Sequence, residues 1–273
     1  MDDMNKNDVM TFSNVMNMQL EQDGISVVVP EKWGQGRATF GGLVAAFMYE
    51  KLLHQIESDR AVRSLQISFV GPVQSGPLDI VAKVLRAGKG ATQVQATAYQ
   101  NDKVCAVMLG SFGEDRHSAV EVSSEKAPST LSPEDGVTMP FIQNLTPDFT
   151  QYFDYRFTQG KLPFMGSEEP ALGGWIRFKE PSTAAITASE ILALVDAWPP
   201  ATFTMLKKPT SGSSLSWTIN FVQQPTALTA SDWWQYQAVI QQSKHGYGHV
   251  DATLWDQNGE AVAISRQTVS VFG

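Results

Sequence analysis

Two stretches of the chain carry apolar residues at helical spacing, and most of the remainder falls into short alternating or apolar runs closed by turn residues. The first helical stretch, LVAAFMYEKLLHQI (43–56), is apolar around most of its circumference at its start, which predicts burial on nearly all sides. A glycine-rich lead, WGQGRATFGG, precedes it, and before that GISVVVP (24–30) reads as an extended run ended by proline. The second stretch, ASEILALVDAW (188–198), is stopped by Pro199-Pro200 and follows an opening strand at WIRFKE (175–180). Four β-type runs follow each helix. In the first half they are SLQISFV, LDIVAKVLRAG, TQVQATAYQN and KVCAVMLGSFG, with AGKG and QNDK as turns. In the second they are SLSWTINFV, WWQYQAVIQQS, GHVDATLWD and EAVAISRQTVSVF, with KHGYG and DQNGE as turns. One central helix followed by a curling antiparallel sheet, done twice, is an α+β pattern.

The two halves also resemble each other residue by residue. Val94, Ala96, Thr97 and Tyr99 fall opposite Val250, Ala252, Thr253 and Trp255 at a constant offset of 156. Phe69-Val70 and Phe221-Val222 match at an offset of 152, which puts four extra residues in an intervening loop of the second copy. Two copies are too few for a solenoid and suit a fused pseudo-dimer. Residues 1–116 are expected to form the first unit and 151–273 the second. The Ser-, Pro- and charge-rich stretch 117–150 between them reads as a linker wrapping the surface.

Composition narrows the function. Against 20 Lys+Arg stand 28 Asp+Glu, a net charge of −8 that argues against nucleic-acid binding as the main role. Cys105 is the only cysteine, which excludes a disulfide framework and a multi-thiolate metal site, and it reads as a buried small hydrophobe. The start MDDMNKNDVM lacks the basic end and apolar run of a signal peptide, and no apolar stretch is long enough to span a membrane. The expectation is a cytoplasmic chain. His245 and His249 stand four apart, but on a glycine-broken hairpin without a third ligand, so no metal is expected. No cofactor is implied, no GxSxG elbow is present, and the glycines of GQGRATFGG follow no βαβ pattern.

On the second helix Leu194, Trp198, Ile191, Val195 and Leu192 form a contiguous apolar arc, with Asp196 at its edge. Such a carboxylate is either a solvated edge or capping residue, or a general base at the rim of an apolar cleft. Gln267 sits among alternating small and apolar residues, where an amide wants a partner. Ser214 taken alone is a strand-start hydroxyl. Strict alternation would place Ser214, Ser216, Thr218 and Asn220 on one face, with Thr218 in reserve for substrate contact. Gly41 and Gly42 either let helix and sheet pack closely or present free N–H groups to an oxyanion.

The order of elements and four motifs, GRATFGGLVAA (36–46), LVDAWPPA (194–201), SSLSWTINF (213–221) and VAISRQTVSVF (262–272), resemble the double-hotdog acyl-CoA thioesterases of the thioesterase II type. The likeness spans nearly all of residues 20–273. It implies a double hotdog, one helix and one antiparallel sheet per repeat, acting as a hydrolase of lipid metabolism. It implies that Asp196, Ser214 and Gln267 act on a water that attacks an acyl-CoA thioester; beside it, the N–H groups of Gly41 and Gly42 at the helix N-terminus are the expected substrate contacts. The family usually has threonine at Ser214 and an acid at Ser216; the first departure keeps the hydroxyl, the second removes a carboxylate.

In the first half the matching helix stretch around Tyr49 offers no aspartate, although Glu50 is adjacent, and the strand matching that of Gln267 carries Met108 and Ser111. One working site per chain is therefore expected, with the first half as a wall. Lys32, Arg37, Lys83, Arg86 and Lys89 are the candidate partners for coenzyme A phosphates, each equally readable as a solvated surface cation. Exposed sheet edges make a homo-oligomer the expected assembly. Two rival functions stand beside hydrolysis: a module that holds acyl-CoA or a fatty ligand uncleaved, and a hydratase, for which the Asp/His pair is missing from the helix lead.

Overall fold

The computed structural model describes residues 10–20, 26–57, 60–223 and 227–272. Gly24 and Ile25 of the expected opening run lie outside these. The elements in chain order are α1 (Phe12–Leu20), β1 (Ser26–Val29), β2 (Gly34–Gln35), β3 (Ala38–Thr39), α2 (Gly41–Leu53), β4 (Ala61–Phe69), β5 (Gly76–Ala87), β6 (Ala91–Gln100) and β7 (Lys103–Gly113). Then come β8 (Val137–Thr138), β9 (Phe153–Gln159), β10 (Ala171–Phe178), α3 (Ala188–Asp196), α4 (Ala201–Met205), β11 (Gly212–Phe221), β12 (Trp234–Lys244), β13 (Tyr247–Trp255) and β14 (Ala261–Val271).

All strands but β2 and β3 join one antiparallel sheet in the order β1-β5-β6-β7-β4-β11-β14-β13-β12-β10-β9-β8. The order β1-β5-β6-β7-β4 of the first half returns reversed as β11-β14-β13-β12-β10 in the second, which β9 and β8 extend, and the seam is the pair β4–β11, where Ile67 faces Trp217 and Leu65 faces Ile219. Each half-sheet wraps one apolar helix, a double hotdog of the α+β class. The helices lie side by side and head to tail: a Cβ on Gly42 would stand 3.0 Å from Ala193 Cα, while Ser189 near the other end of the pair hydroxyl-bonds to Glu50. Leu43 through Met48 of α2 and Ile191 through Val195 of α3 are buried, as all-round apolar helices require.

The registers show how closely the halves repeat. Irregular steps in strand pairing fall at Val62/Ser64, Val84/Arg86 and Ala98/Tyr99, and again at Ser214/Ser216, Ile240/Gln242 and Leu254/Trp255. Each pair of steps is separated by the same 152 or 156 positions found in the sequence. A bulge costs ladder bonds and re-aims side chains, so its recurrence at three matched places reflects a duplicated backbone and not a chance likeness of amphipathic strands.

Several boundaries differ from the sequence expectation. Helix α2 begins at Gly41 and ends at Leu53, because Gly41-Gly42 lie within its first turn. Helix α3 ends at Asp196, and the chain re-enters a short helix, α4, immediately after Pro199-Pro200, with Pro200 tolerated at the N-cap. The second half opens on a hairpin of β9 and β10 instead of a single strand. Helix α1 was not anticipated either. It packs Phe12 on Trp33 and Phe178, and both Thr11 and Ser13 donate to Glu180 at 2.9 and 2.7 Å.

Candidate active site

Asp196 is the last helical residue of α3 and is partly buried. Two side chains of the second half-sheet converge on it. Gln267 of β14 donates from Nε2 to Asp196 Oδ1 at 3.0 Å and to Ser214 Oγ of β11 at 3.0 Å. A carboxylate only accepts, so the amide must face it with nitrogen, and the two N–H groups of that nitrogen are then both engaged. With its oxygen bonded to the amide, Ser214 keeps its own hydrogen to donate elsewhere.

The bulge in β11 makes this meeting possible. Ser214 pairs with Val269 and Ser216 with Thr268, so Leu215 is the extra residue. The insertion sets Ser214 on the inner face with buried Trp217 and Ile219, and directs Ser216, Thr218 and Asn220 outward. The single face expected for Ser214, Ser216, Thr218 and Asn220 is therefore corrected. Thr218 pairs with Arg266 and Gln66 on the side of the sheet away from Gln267, so it has no part in this cluster. The missing acid at Ser216 likewise belongs to the outer face.

The first half supplies the opposite wall. Helix α2 has Phe40 at its N-cap, whose ring makes no capping hydrogen bond, so the N–H groups of the first turn are left for other partners. The N–H of Gly42 bonds to the Asp196 carboxylate. A Cβ on Gly41 would lie 2.8 Å from Asp196 Oδ2 and 3.3 Å from the Phe69 ring, so glycine is required there for close approach. Burial pushes the Asp196 carboxyl up to about 7, against the opposing pull of the Gln267 and Gly42 hydrogen bonds. Two tyrosines lie in the same field. Tyr155 donates its hydroxyl to Ala197 O at 3.0 Å, and Tyr236 stacks on Trp198; burial chiefly, and the Asp196 charge secondarily, hold both hydroxyls well above their usual range.

The pseudo-symmetric position in the first half has none of this chemistry. Trp217 and Gln267 face each other, and the matching pair is Leu65 and Gly110; Ser214 and Val269 correspond to Val62 and Phe112. Gly110, not Met108 or Ser111, thus stands where Gln267 does, and a Cβ on it would meet Phe112, Leu52 and Leu65. Glu50 accepts from Ser189 Oγ at 2.6 Å. The N-terminus of α3, unlike that of α2, is closed by a capping box in which Thr187 and Glu190 bond reciprocally.

The remaining candidates lie elsewhere. Lys32, Arg37, Lys83, Arg86 and Lys89 are all exposed. His245 occupies a hairpin turn at φ 57°, and His249 Nδ1 meets Thr268 Oγ1 at 3.2 Å on the outer face. Cys105 is buried, and burial pushes its thiol up. An open groove of about 540 Å³ runs between residues 128–131 and strands β9, β10 and β12, but none of Asp196, Ser214 or Gln267 lines it. Chemistry rather than cavity size marks the site, because an acid, a hydroxyl and an amide meet at Asp196. Phe69, Tyr155 and Tyr236 were missed by sequence reasoning. Phe69 alone carried a signal, as half of the repeated Phe-Val pair.

A family model described as the acyl-CoA thioesterase N-terminal domain matches residues 29–113, and one described as the acyl-CoA thioesterase C-terminal domain matches residues 133–271. No curated protein matches the sequence. Solved structures share the fold over nearly the whole chain. A hot dog protein of unknown function from Alicyclobacillus acidocaldarius superposes with a TM-score of 0.82 at 21% identity, covering 93% of this chain and 95% of that one. The tesB protein of Mycobacterium avium subs paratuberculosis gives 0.76 at 18%, covering 96% and 100%. The acyl-CoA thioesterase II TesB2 of Mycobacterium marinum gives 0.71 at 17%, covering 92% and 95%.

Proposed function

Because the chain belongs to the acyl-CoA thioesterase family, we propose that it hydrolyses acyl-CoA to a carboxylic acid and coenzyme A at the Asp196–Ser214–Gln267 cluster. The observation that carries this reading is the Gln267 amide bridging Asp196 and Ser214 with both of its hydrogens. A bridge of this kind fixes the carboxylate and hydroxyl relative to one another before substrate arrives, which is the preorganisation that catalysis rewards.

In the proposed reaction Asp196 accepts a proton from water as the water oxygen bonds to the thioester carbonyl carbon. Ser214 donates to that water or to the forming tetrahedral centre. The carbonyl oxygen takes up the negative charge facing the first turn of α2, where the uncapped Gly41 N–H lies at the positive end of the helix dipole. Collapse breaks the carbon–sulfur bond, the proton held by Asp196 passes to the departing thiolate, and the acid is released. A base whose proton leaves near pH 7 is matched to this cycle, since it must both take and return a proton. The outward direction of Ser216 also supports hydrolysis over mere binding, because the family's acid at that position would lie outside the cluster.

The test is release of free thiol from a panel of acyl-CoAs, by the wild type and by Asp196→Ala. Thiol release by the wild type that falls by roughly three orders of magnitude in the variant is the expected result. Tight acyl-CoA binding with no thiol released by either protein would establish the non-catalytic module instead.

A further inference from the structure

The N-cap residue of α2 offers no polar side chain, so what it contributes to seating the first turn against Asp196 is apolar. Phe40, at the N-cap, folds its ring under the turn: a Cβ on Gly42 would lie 2.5 Å from Phe40 Cζ. That ring stacks on Phe149 with centroids 4.2 Å apart and planes inclined by 9°, and meets Phe153 edge-on at 6.1 Å and 70°. Trp33, just upstream in the same lead, stacks on Tyr152 at 4.3 Å and 11°. Phe149 and Tyr152 lie in a single 3₁₀ turn, Asp148–Tyr152, which leads directly into β9 of the second half. Phe40, Phe149 and Phe153 are all buried.

We propose that Phe149 is a positioning residue for the reaction: by stacking on Phe40 across the two halves, it seats the first turn of α2 against the Asp196 carboxylate. It rests on the reading of Asp196 as the base. The physical warrant is that a stacked aromatic pair is favoured beyond the area it buries, and here it holds the N-cap residue that makes no capping bond of its own. Phe40 opens the helix at φ −49° and ψ 125°, and its peptide bond carries the Gly41 N–H, so a shift of the residue once its ring is unseated moves the first turn with it.

Loosening the stack withdraws the Gly42 N–H from the carboxylate. The other groups facing Asp196 are Gln267 from β14, which is neutral, and the hydroxyls of Tyr155 on β9 and Tyr236 on β12, which stay protonated throughout the working range. From α2 only the glycine turn faces the acid. With one stabilising donor lost and no compensating charge, the proton on Asp196 is held more tightly and the acid limb of the pH–rate profile moves upward.

The experiment measures kcat, KM and the acid limb for Phe149→Leu and Phe149→Ala, alongside Asp196→Asn, with thermal melts on each. The leucine keeps apolar volume while removing the flat face, and carries the test if the alanine variant does not fold. Expected is a fall in kcat of about tenfold with KM little changed, and an upward shift of the limb by about half a pH unit. An unmoved limb in a folded Phe149 variant, with activity falling only as the folded fraction falls, overturns the positioning role alone. A limb that persists in Asp196→Asn overturns the base assignment and the positioning role with it.

Discussion

Asp196 is asked to be a base, yet its surroundings favour the acid. Burial holds its proton until about pH 7, while Gln267 and Gly42 pull the other way. The consequence for rate is a limb: kcat/KM rises with pH and levels off above about pH 7, since only the carboxylate can accept a proton from water. Thiol release measured from pH 5 to 9 with a single acyl-CoA checks this, and a flat profile would exclude Asp196 as the base. The consequence for stability has the opposite sign. Between the ordinary carboxylate range and about pH 7 the folded state binds a proton that the unfolded chain has lost, so this residue's contribution declines as pH rises through that window. Asp196→Asn is therefore more stable than the wild type at pH 8, on the order of 1–3 kcal/mol, with little difference near pH 4. Denaturant melts at the two pH values decide it. Gly41 makes the complementary case. Its missing Cβ is space taken by Asp196 Oδ2 and Phe69, so Gly41→Ala displaces the carboxylate and lowers kcat about a hundredfold while the fold survives.

At the level of elements, periodicity revealed both central helices, the four strands after each and the duplication itself, because an apolar stripe and a repeated offset are written in residue types. Bulges are not. The extra residue at Leu215 turns Ser214 inward and Thr218 outward, and strict alternation has no means of registering it. A single added residue in the β13–β14 turn has a similar effect. Tyr99 to Val104 spans the first turn and Trp255 to Ala261 its counterpart, one position longer, so the partner of Gln267 becomes Gly110 where a constant offset points to Ser111. Asp196 and Gln267 were legible as polar groups on apolar faces, whereas the aromatic contacts that cross between halves depend on tertiary placement alone. The two helix N-termini also differ in a testable way. Helix α3 carries a closed capping box, and Thr187→Ala removes it at a cost of about 1 kcal/mol, with kcat unchanged because that terminus faces no reacting group. Chemical denaturation combined with steady-state kinetics separates the two effects.

Across the whole molecule, the fused pair is symmetric in backbone and asymmetric in chemistry. Each half keeps the same bulges, the same central helix and the same order of five strands, yet the inward positions that hold Ser214 and Gln267 in one hold Val62 and Gly110 in the other. Glu50 is the carboxylate that α2 carries, and its partner is Ser189 of the neighbouring helix; among the described residues no amide bridges it to a strand hydroxyl. Its role follows from that bond: it ties α2 to α3 at the end of the helix pair away from Asp196. Glu50→Gln keeps an oxygen that accepts from Ser189, so both stability and thiol release should stay within about threefold of wild type. Glu50→Ala leaves Ser189, a hydroxyl only 2% exposed, without its acceptor, and should lower stability by about 1–3 kcal/mol while the pH limb keeps its position. Asp196→Asn, by contrast, should abolish the limb and most of the rate with the fold intact. Reversal of that contrast, with hydrolysis lost in Glu50→Gln and kept in Asp196→Asn, would move the working site to the first half. The head-to-tail helices make the two ends of the pair distinguishable by this comparison, because each carboxylate faces its own end and only one of them meets a helix N-terminus without a capping box of its own.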